Sequence, residues 1–259
     1  MCFKTLQRIT DWNRCFWFTA LILALWTMLL PLSSARGSEA NPLKAEGTSD
    51  SMPIGWEQAY QKIIQLPENS RLEKGEILGE VKKVGDHTIL AQTLGMVKAR
   101  AEDCFKVAKS YPLYARLMPC TVENKVIRSF PLEGGPPGLE AVDFWTRVKV
   151  LGFNTRYLLR IAHLADPQKH RYRSFWTLVD RPDQLKACRD QENQPCQNDL
   201  SINLGSHLFE PFPGNPQYTL HTYTLKLSAE GWLRRSAIRL GGIHSMKEVT
   251  QAIRKALER

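Results

Sequence analysis

The chain has 259 residues, of which 43% are hydrophobic, enough for one large domain with an N-terminal extension. Its formal net charge is +9. A basic surface could meet anionic lipid headgroups or nucleic acid. The lysines and arginines are spread along the chain without a tight run, so we interpret the charge mainly as solvated surface.

Residues 1–35 have the order of regions that is typical of a secretory signal. Basic residues precede an apolar run over residues 16–30, and Ser33 and Ala35 fit the small-residue rule for cleavage. A second cut could follow Ala40. We therefore expect an exported protein, periplasmic or extracellular, with no nucleic-acid partner. The alternative is an anchor formed by an uncleaved N-terminal helix, although the apolar run is short for a span of ~20 residues.

A linker and a helical extension are expected before the folded domain. Residues 36–52 are polar and rich in Gly, Ser, Pro and Glu, which indicates a flexible linker. Residues 53–76 form the predicted extension, and an amphipathic helix over residues 53–66 carries the apolar positions Trp56, Tyr60, Ile63 and Ile64. The folded domain is predicted over residues 77–259.

Four of the cysteines lie beyond the leader, and an even number in an oxidising compartment favours disulfides. Cys188 and Cys196 share one polar loop and are predicted to pair. Cys104 and Cys120 then pair by elimination. A zinc site is the rival interpretation, but these spacings match no common zinc pattern, so we expect no metal. No cofactor is expected either.

The stretch 97–120 predicts two short helices with a break between them. The apolar face of the first helix is formed by Ala101, Cys104, Phe105 and Ala108. Pro112 ends this helix, because the residue before a proline avoids the α region, and it also suits the start of the second helix.

Strand patterns surround these helices. Residues 76–84 and 87–99 are strand-like and are separated by a turn at Gly85 and Asp86. Further alternating segments with short turns between them cover residues 121–130, 139–151, 153–164, 170–180, 201–212 and 217–227. Consecutive strands with short turns predict an antiparallel meander.

The chain ends in a predicted amphipathic helix. Ser245 and Glu248 have the spacing of a capping box, and the apolar stripe is Met246, Val249, Ile253 and Leu257. The predicted class is α+β, a curved antiparallel sheet of about six to seven strands with one long C-terminal helix, and two short helices after the first strand. One helix cannot fill such a face, so an apolar pocket is expected between sheet and helix.

Four stretches together resemble the START-like or helix-grip (SRPBCC) superfamily, in its polyketide cyclase and coenzyme Q-binding branch. They are "VKARAEDCFKVAKSYPLYARLMPC", the paired strands "VDFWTRVKV" and "TRYLLRI", "GSHLFEPF" followed by "YTLHTYTLKL", and the terminal helix. The resemblance covers residues 77–258. It implies a helix-grip fold with a cavity for a hydrophobic ligand such as a lipid, quinone or polyketide.

Nine apolar or aromatic residues are candidates for the ligand wall. Three flank the break between the short helices, and the others lie on faces predicted to point inward: Tyr111, Tyr114, Met118, Phe144, Tyr157, Trp176, Tyr223, Met246 and Val249. The alternative is that these residues are only packed core, as most periodic apolar positions are.

Three histidines are weak catalytic candidates. If Phe209 faces Thr219 across the hairpin, then His207 faces His221, and His163 lies on a neighbouring strand. Two neutral imidazoles could bind a metal or serve in acid–base chemistry. We favour the explanation that the two facing histidines are a polar cross-strand pair, because two histidines without a third ligand are a weak signal, and no Ser-His-Asp pattern is visible.

We therefore predict a binding protein for a hydrophobic small molecule or lipid, without catalysis. Arginines in residues 234–239 could add peripheral contact with a membrane. One alternative is a cyclase or dehydratase that acts on an apolar substrate. Another is an envelope interaction module with a vestigial pocket, which would expose an apolar patch including Trp56 and Trp232.

Overall fold

The computed structural model describes residues 63–65, 69–132, 139–150, 152–190, 192–228 and 232–258. The predicted leader and linker, and most of the helical extension, lie outside these residues. Residues 63–65 form a bend. The amphipathic helix predicted over residues 53–66 therefore does not include them, and the first described helix is α1, Asn69–Glu73.

The described residues form one antiparallel sheet of eight strands, in the spatial order β1-β2-β8-β7-β6-β5-β4-β3. The strands are β1 Ile77–Lys83, β2 Thr88–Val97, β3 Thr121–Pro131, β4 Glu140–Val150, β5 Phe153–Asp166, β6 Arg171–Leu178, β7 Ile202–Phe212 and β8 Asn215–Ser228. Strands β3 to β8 form a meander, and the last of them, β8, pairs with β2. The β1–β2 hairpin therefore lies at the β8 edge of the meander, opposite to β3. The α+β class is confirmed.

Two details of the predicted sheet are wrong. It has eight strands in the described residues, not six to seven, and two strands rather than one precede the short helices. The reason is that the two strand-like segments around Gly85 pair with each other over their whole length, from Ile77 opposite Gly95 to Lys83 opposite Ile89. They are two strands of one hairpin.

The short helices lie between β2 and β3. They are α2, Ala101–Ala108, a 3-10 turn over Tyr111–Leu113, and α3, Tyr114–Leu117. The predicted apolar face of α2 is confirmed, because its buried residues are Ala101, Cys104, Phe105 and Ala108. This face packs on β6, β7 and β8, which are central strands of the sheet.

The disulfide between Cys188 and Cys196 is present, with the two Cα atoms 5.3 Å apart. It follows the short helix α4, Pro182–Ala187. Both cysteines pack in one cluster with Trp145 and Leu158. Side chains alternate along a strand, so Trp145 and Leu158 lie on the sheet face opposite to Phe144 and Leu159. The disulfide loop therefore covers the outer face of β4 and β5.

The predicted disulfide between Cys104 and Cys120 is wrong. Cys104 lies on the buried face of α2 and points at β8, where its Sγ is 3.5 Å from Thr219 Oγ1. Cys120 lies just before β3, in the wall of the cavity described below. Burial raises the pKa of the Cys104 thiol to about 11, so it stays protonated and behaves as a small apolar side chain.

The C-terminal helix α5 is Trp232–Leu257, 26 residues long, and packs against β1, β2 and α2. It begins well before the predicted capping box, which is therefore wrong. Ser245 lies inside the helix, and its hydroxyl donates to the carbonyl of Gly242 at 2.9 Å. A serine in this position bonds within the helix instead of capping it. Within the described residues, α5 and the other helices lack the length and apolar character that crossing a bilayer requires.

Candidate ligand cavity

A cavity of about 160 Å³ lies between the sheet and α5. A single water needs roughly 10–15 Å³ by this measure, so the space is many times larger than one water. Its wall comes from α3, from strands β3 to β8 and from the middle of α5. Seven of the nine predicted ligand residues line it: Tyr114, Met118, Phe144, Tyr157, Trp176, Tyr223 and Val249.

The other two predicted residues are buried behind the wall. Tyr111 packs its ring on Phe144, with the ring centroids 5.0 Å apart, and its hydroxyl contacts His163 Nε2. Met246 is 1% exposed on α5 and does not line the cavity. For these two positions the alternative of packed core holds. Ligand contact by the other seven stays a prediction.

The sequence patterns missed several residues of the wall. Leu225 and Leu227 continue the inward face of β8 beyond Tyr223, so period-two alternation could have found them. Thr155 and Asn203 were missed because a polar side chain at an inward position carries no hydrophobic signal. Ser245 was assigned to a helix cap, yet it lines the cavity from inside α5.

Trp176 lies against β7 because that strand has a glycine at the point of contact. A Cβ atom at Gly205 would lie 2.6 Å from Trp176 Cε2 and 2.8 Å from the Thr224 carbonyl oxygen, which is closer than real Cβ atoms approach. The indole nitrogen donates to Asn203 Oδ1 at 3.0 Å. Glycine and asparagine, two positions apart on β7, thus fix the orientation of the largest aromatic side chain in the wall.

The predicted register of the β7–β8 hairpin is wrong by two residues. His207 lies opposite Tyr223, and Phe209 lies opposite His221. An irregularity between Pro211 and Phe212 and a turn at Gly214, with φ +86°, set this register. Local turn geometry of this kind is not visible in the alternation pattern.

The two histidines of the hairpin still meet, along the diagonal. His207 Nδ1 is 3.1 Å from His221 Nε2, and His221 Nδ1 is 3.0 Å from Thr250 Oγ1 on α5. A hydrogen-bonded chain therefore connects the cavity wall, at His207, to the C-terminal helix.

His163 does not join this chain. Its Nδ1 lies 2.8 Å from Ser174 Oγ, and its Nε2 contacts the Tyr111 hydroxyl. The part of the chain that the structure describes contains no group of three or more His, Cys, Asp or Glu that could hold a metal. The three candidate histidines thus occupy two separate hydrogen-bonded clusters.

Burial keeps the three histidines neutral. It lowers the pKa of His163 and of His207 to about 3, and it lowers the pKa of His221 well below its ordinary value. The tyrosines of the wall are neutral as well. Burial raises the pKa of Tyr114 to about 12 and raises the pKa of Tyr223 well above its ordinary value.

No family model matches the sequence, and no curated protein matches it. Solved structures match in fold. Human StAR-related lipid transfer protein 5 is 14% identical, and the match covers 70% of this chain and 86% of that chain with a TM-score of 0.51. The Zhui aromatase/cyclase from Streptomyces sp. R1128 is 13% identical, with 67% and 95% covered and a TM-score of 0.46.

A StAR-related lipid transfer protein fragment from Xanthomonas axonopodis is 12% identical, with 70% of this chain and 99% of that chain covered and a TM-score of 0.45. Identities this low establish the fold alone. We rest the assignment on the human protein, on the eight-stranded antiparallel sheet and on α5. The described domain therefore has the START-like helix-grip fold that its sequence motifs resemble.

Proposed function

We propose that this chain is an exported binding protein that holds a hydrophobic small molecule, such as a lipid, quinone or polyketide, between the sheet and α5. The observation that carries the proposal is the cavity itself, which is large compared with a water molecule and is walled mainly by aromatic and aliphatic side chains. Ligand sites in proteins are typically concave, mostly apolar and already formed.

The composition of the wall indicates that affinity comes from the apolar surface buried on binding rather than from a single strong contact. Apolar surface removed from water stabilises a complex by roughly 25 cal/mol per Å², before the costs of association are subtracted. Trp176 and Tyr223 pack with their ring centroids 5.8 Å apart, and Tyr114 packs on Phe144 at 5.1 Å. Such interlocked rings keep the cavity open without a ligand, which lowers the ordering cost on binding.

A variant that fills the cavity is expected to abolish ligand retention. Val148 lines the cavity from β4, and Lys149 is exposed on the opposite face of the same strand. Val148→Trp should place an indole in the ligand space, whereas Lys149→Trp adds the same ring to solvent. Native mass spectrometry of gently purified protein, followed by organic extraction, should recover an apolar molecule from wild type and Lys149→Trp but not from Val148→Trp.

The proposal fails if wild-type protein retains no molecule and binds no added apolar probe. Recovery of the same molecule from Val148→Trp would place the binding site elsewhere. The identity of the extracted compound also separates binding from turnover, because a carrier releases its ligand chemically unchanged.

A second candidate function, acid–base catalysis on an apolar substrate, is favoured by the position of His207 in the wall and its bond to His221. The low basicity of His207 argues against this function. A histidine whose pKa is held at about 3 is a poor proton acceptor near pH 7, where the best general bases have matched pKa values. We therefore favour binding without chemical conversion.

Export is the second half of the proposal. The order of charged, apolar and small residues in residues 1–35 supports it, and so does the Cys188–Cys196 disulfide, because disulfides persist in oxidising compartments. N-terminal sequencing of protein from the native host is expected to give a mature chain that starts at Arg36 or Asn41. An intact N-terminus in a membrane fraction would instead indicate the anchor, and an intact N-terminus in the cytosol would contradict export.

Two other expectations depend on side chains outside the described set. Peripheral membrane contact was assigned to arginines in residues 234–239, and the interaction module to Trp56 and Trp232. Both stay predictions.

A further inference from the structure

We propose that the cavity selects an uncharged ligand that carries a hydroxyl or carbonyl oxygen, and that polar side chains of β7 and β8 bind this oxygen. The inference rests on the proposed function, because it concerns the same cavity. It adds the chemical class of the ligand, which separates neutral alcohols, ketones and quinones from fatty acids, phospholipids and amines with a buried charged group.

Charge is the first argument. None of the described side chains that line the cavity is an aspartate, glutamate, lysine or arginine, and the single histidine among them is neutral. Burying a carboxylate, phosphate or ammonium group without an opposite charge costs several kcal/mol. A ligand with a charged group in this cavity would lose the hydration of that group, and the described wall has no opposite charge to offset the loss.

Unfilled hydrogen-bonding capacity is the second argument. Asn203 is 5% exposed and lines the cavity, and its Oδ1 accepts from Trp176, while its amide N–H groups donate to no described residue. His207 is also 5% exposed, and only its Nδ1 has a hydrogen-bonding partner among the described residues. An intermolecular hydrogen bond makes a net favourable contribution, so a ligand oxygen that pairs with either group gains affinity.

The position of these two groups makes them one surface. Asn203 and His207 are four residues apart on β7 and therefore point to the same face of the sheet. Tyr223 of β8 lies directly opposite His207, with the ring centroids 4.4 Å apart. The hydroxyl of Tyr223 makes no hydrogen bond to a described residue, and burial keeps it protonated. Amide, imidazole and phenol thus contribute to one polar stripe along an otherwise apolar wall.

The histidine chain lets this stripe accept either kind of oxygen. If His207 donates from Nδ1 to His221 Nε2, its own Nε2 is an acceptor that suits a hydroxyl. If His221 donates instead, Thr250 donates to His221 Nδ1, and His207 Nε2 becomes a donor that suits a carbonyl. Both arrangements are neutral, so the switch requires no buried charge.

Three probes with one shared ring system test the inference: naphthalene, 2-naphthol and 2-naphthoate, each titrated at pH 7 into the mature protein freed of endogenous ligand. Calorimetry or probe fluorescence gives the affinities. We expect 2-naphthol to bind threefold to tenfold more tightly than naphthalene, and at least tenfold more tightly than 2-naphthoate. The carboxylate should bind worst because it is the only charged probe.

Variants connect the preference to the polar stripe. His207→Leu and Tyr223→Phe should each lower the affinity for 2-naphthol severalfold and leave the affinity for naphthalene within about twofold. His207→Gln, whose amide can replace the ring nitrogen, should recover part of the loss. Tyr172→Phe is the matched control, because Tyr172 is buried against Phe105 and Phe209 and does not line the cavity. Unchanged naphthalene binding also shows that each variant is folded.

The outcomes separate the two levels of proposal. If naphthalene binds as tightly as 2-naphthol, or if 2-naphthoate binds most tightly, this inference is overturned while hydrophobic ligand binding stands. If none of the three probes binds, this inference is overturned, and hydrophobic ligand binding is overturned with it if the purified protein also retains no apolar molecule. If the preference for 2-naphthol persists in both His207→Leu and Tyr223→Phe, the assignment to the polar stripe is wrong.

Discussion

Lowering the pH from 7 to 5 is expected to reduce the free energy of unfolding by roughly 5 kcal/mol. The cause is the burial of His163, His207 and His221 as neutral imidazoles. Burial lowers the pKa of the first two to about 3 and lowers the pKa of His221 well below its ordinary value. Lys109 adds to the effect at His163, and Arg254 adds to it at His221.

The sign follows from proton binding. In the unfolded chain these histidines have an ordinary pKa near 6.5, so below that pH the unfolded state binds protons that the folded state does not. Stability is therefore full above pH 6.5 and is lost progressively as the pH falls toward 3. Each histidine contributes a slope of about 1 kcal/mol per pH unit, and carboxylates change little between pH 7 and 5.

Chemical denaturation at several pH values measures this slope. His207→Gln should reduce it by about a third, because one of the three buried histidines is removed. A wild-type protein as stable at pH 5 as at pH 7 would mean that these histidines take up protons in the folded state. Domains typically have a free energy of unfolding of about 5–15 kcal/mol. If this domain lies at the low end of that range, the loss is large enough to unfold it near pH 5.

The fold could be predicted from the sequence because its signals are local and repeated. Alternation along residues 153–164 identified the inward face of β5, where Tyr157, Leu159 and Ile161 do line the cavity. The apolar spacing in α2 identified its buried face. The period of apolar residues shows which face of a strand or helix is buried. In this sheet, the face that α5 crosses is also the face that lines the cavity.

The errors arose where three-dimensional placement decides. Pairing Cys104 with Cys120 by elimination fails because the Cys104 side chain points at β8, whereas Cys120 lines the cavity. The hairpin register depended on an irregularity beside Phe212 that leaves no composition signal. Asn203 was overlooked because inward polar positions interrupt the pattern by which inward positions are found. The sequence thus predicted most of the apolar wall of the candidate site but missed Asn203, a member of its polar stripe.

Asp143→Ala is expected to destabilise the domain by about 3–5 kcal/mol. The Asp143 side chain is 4% exposed on β4, and its carboxylate accepts from Arg128 Nε at 2.7 Å and from Arg160 Nε at 2.9 Å. The Arg160 side chain is only 10% exposed. Removal of the carboxylate takes away the opposite charge to which the buried Arg160 guanidinium donates from Nε and Nη2, and this cost exceeds what the intact pair contributes.

A surface pair gives the matched control. Asp183 and Arg181 form a salt bridge of 2.9 Å, with both side chains well exposed, so Asp183→Ala should cost less than about 1 kcal/mol. The double variant Asp143→Leu/Arg160→Met should be more stable than Asp143→Ala, because it removes both charges and keeps the volume. Equal midpoints for Asp143→Ala and wild type in urea unfolding would show that the carboxylate contributes nothing to stability.

The same variant connects stability to the cavity. Asp143 and Arg160 lie opposite each other on β4 and β5, and their neighbours Phe144 and Leu159, which also form a cross-strand pair, line the cavity from the other face. A one-residue slip would exchange the two faces of a strand. A buried ion pair on the outer face therefore penalises any slip that would remove the aromatic wall. Because the double variant also lacks the ion pair, we expect ligand retention to fall in Asp143→Ala and to stay low in the double variant, even though its stability is partly restored.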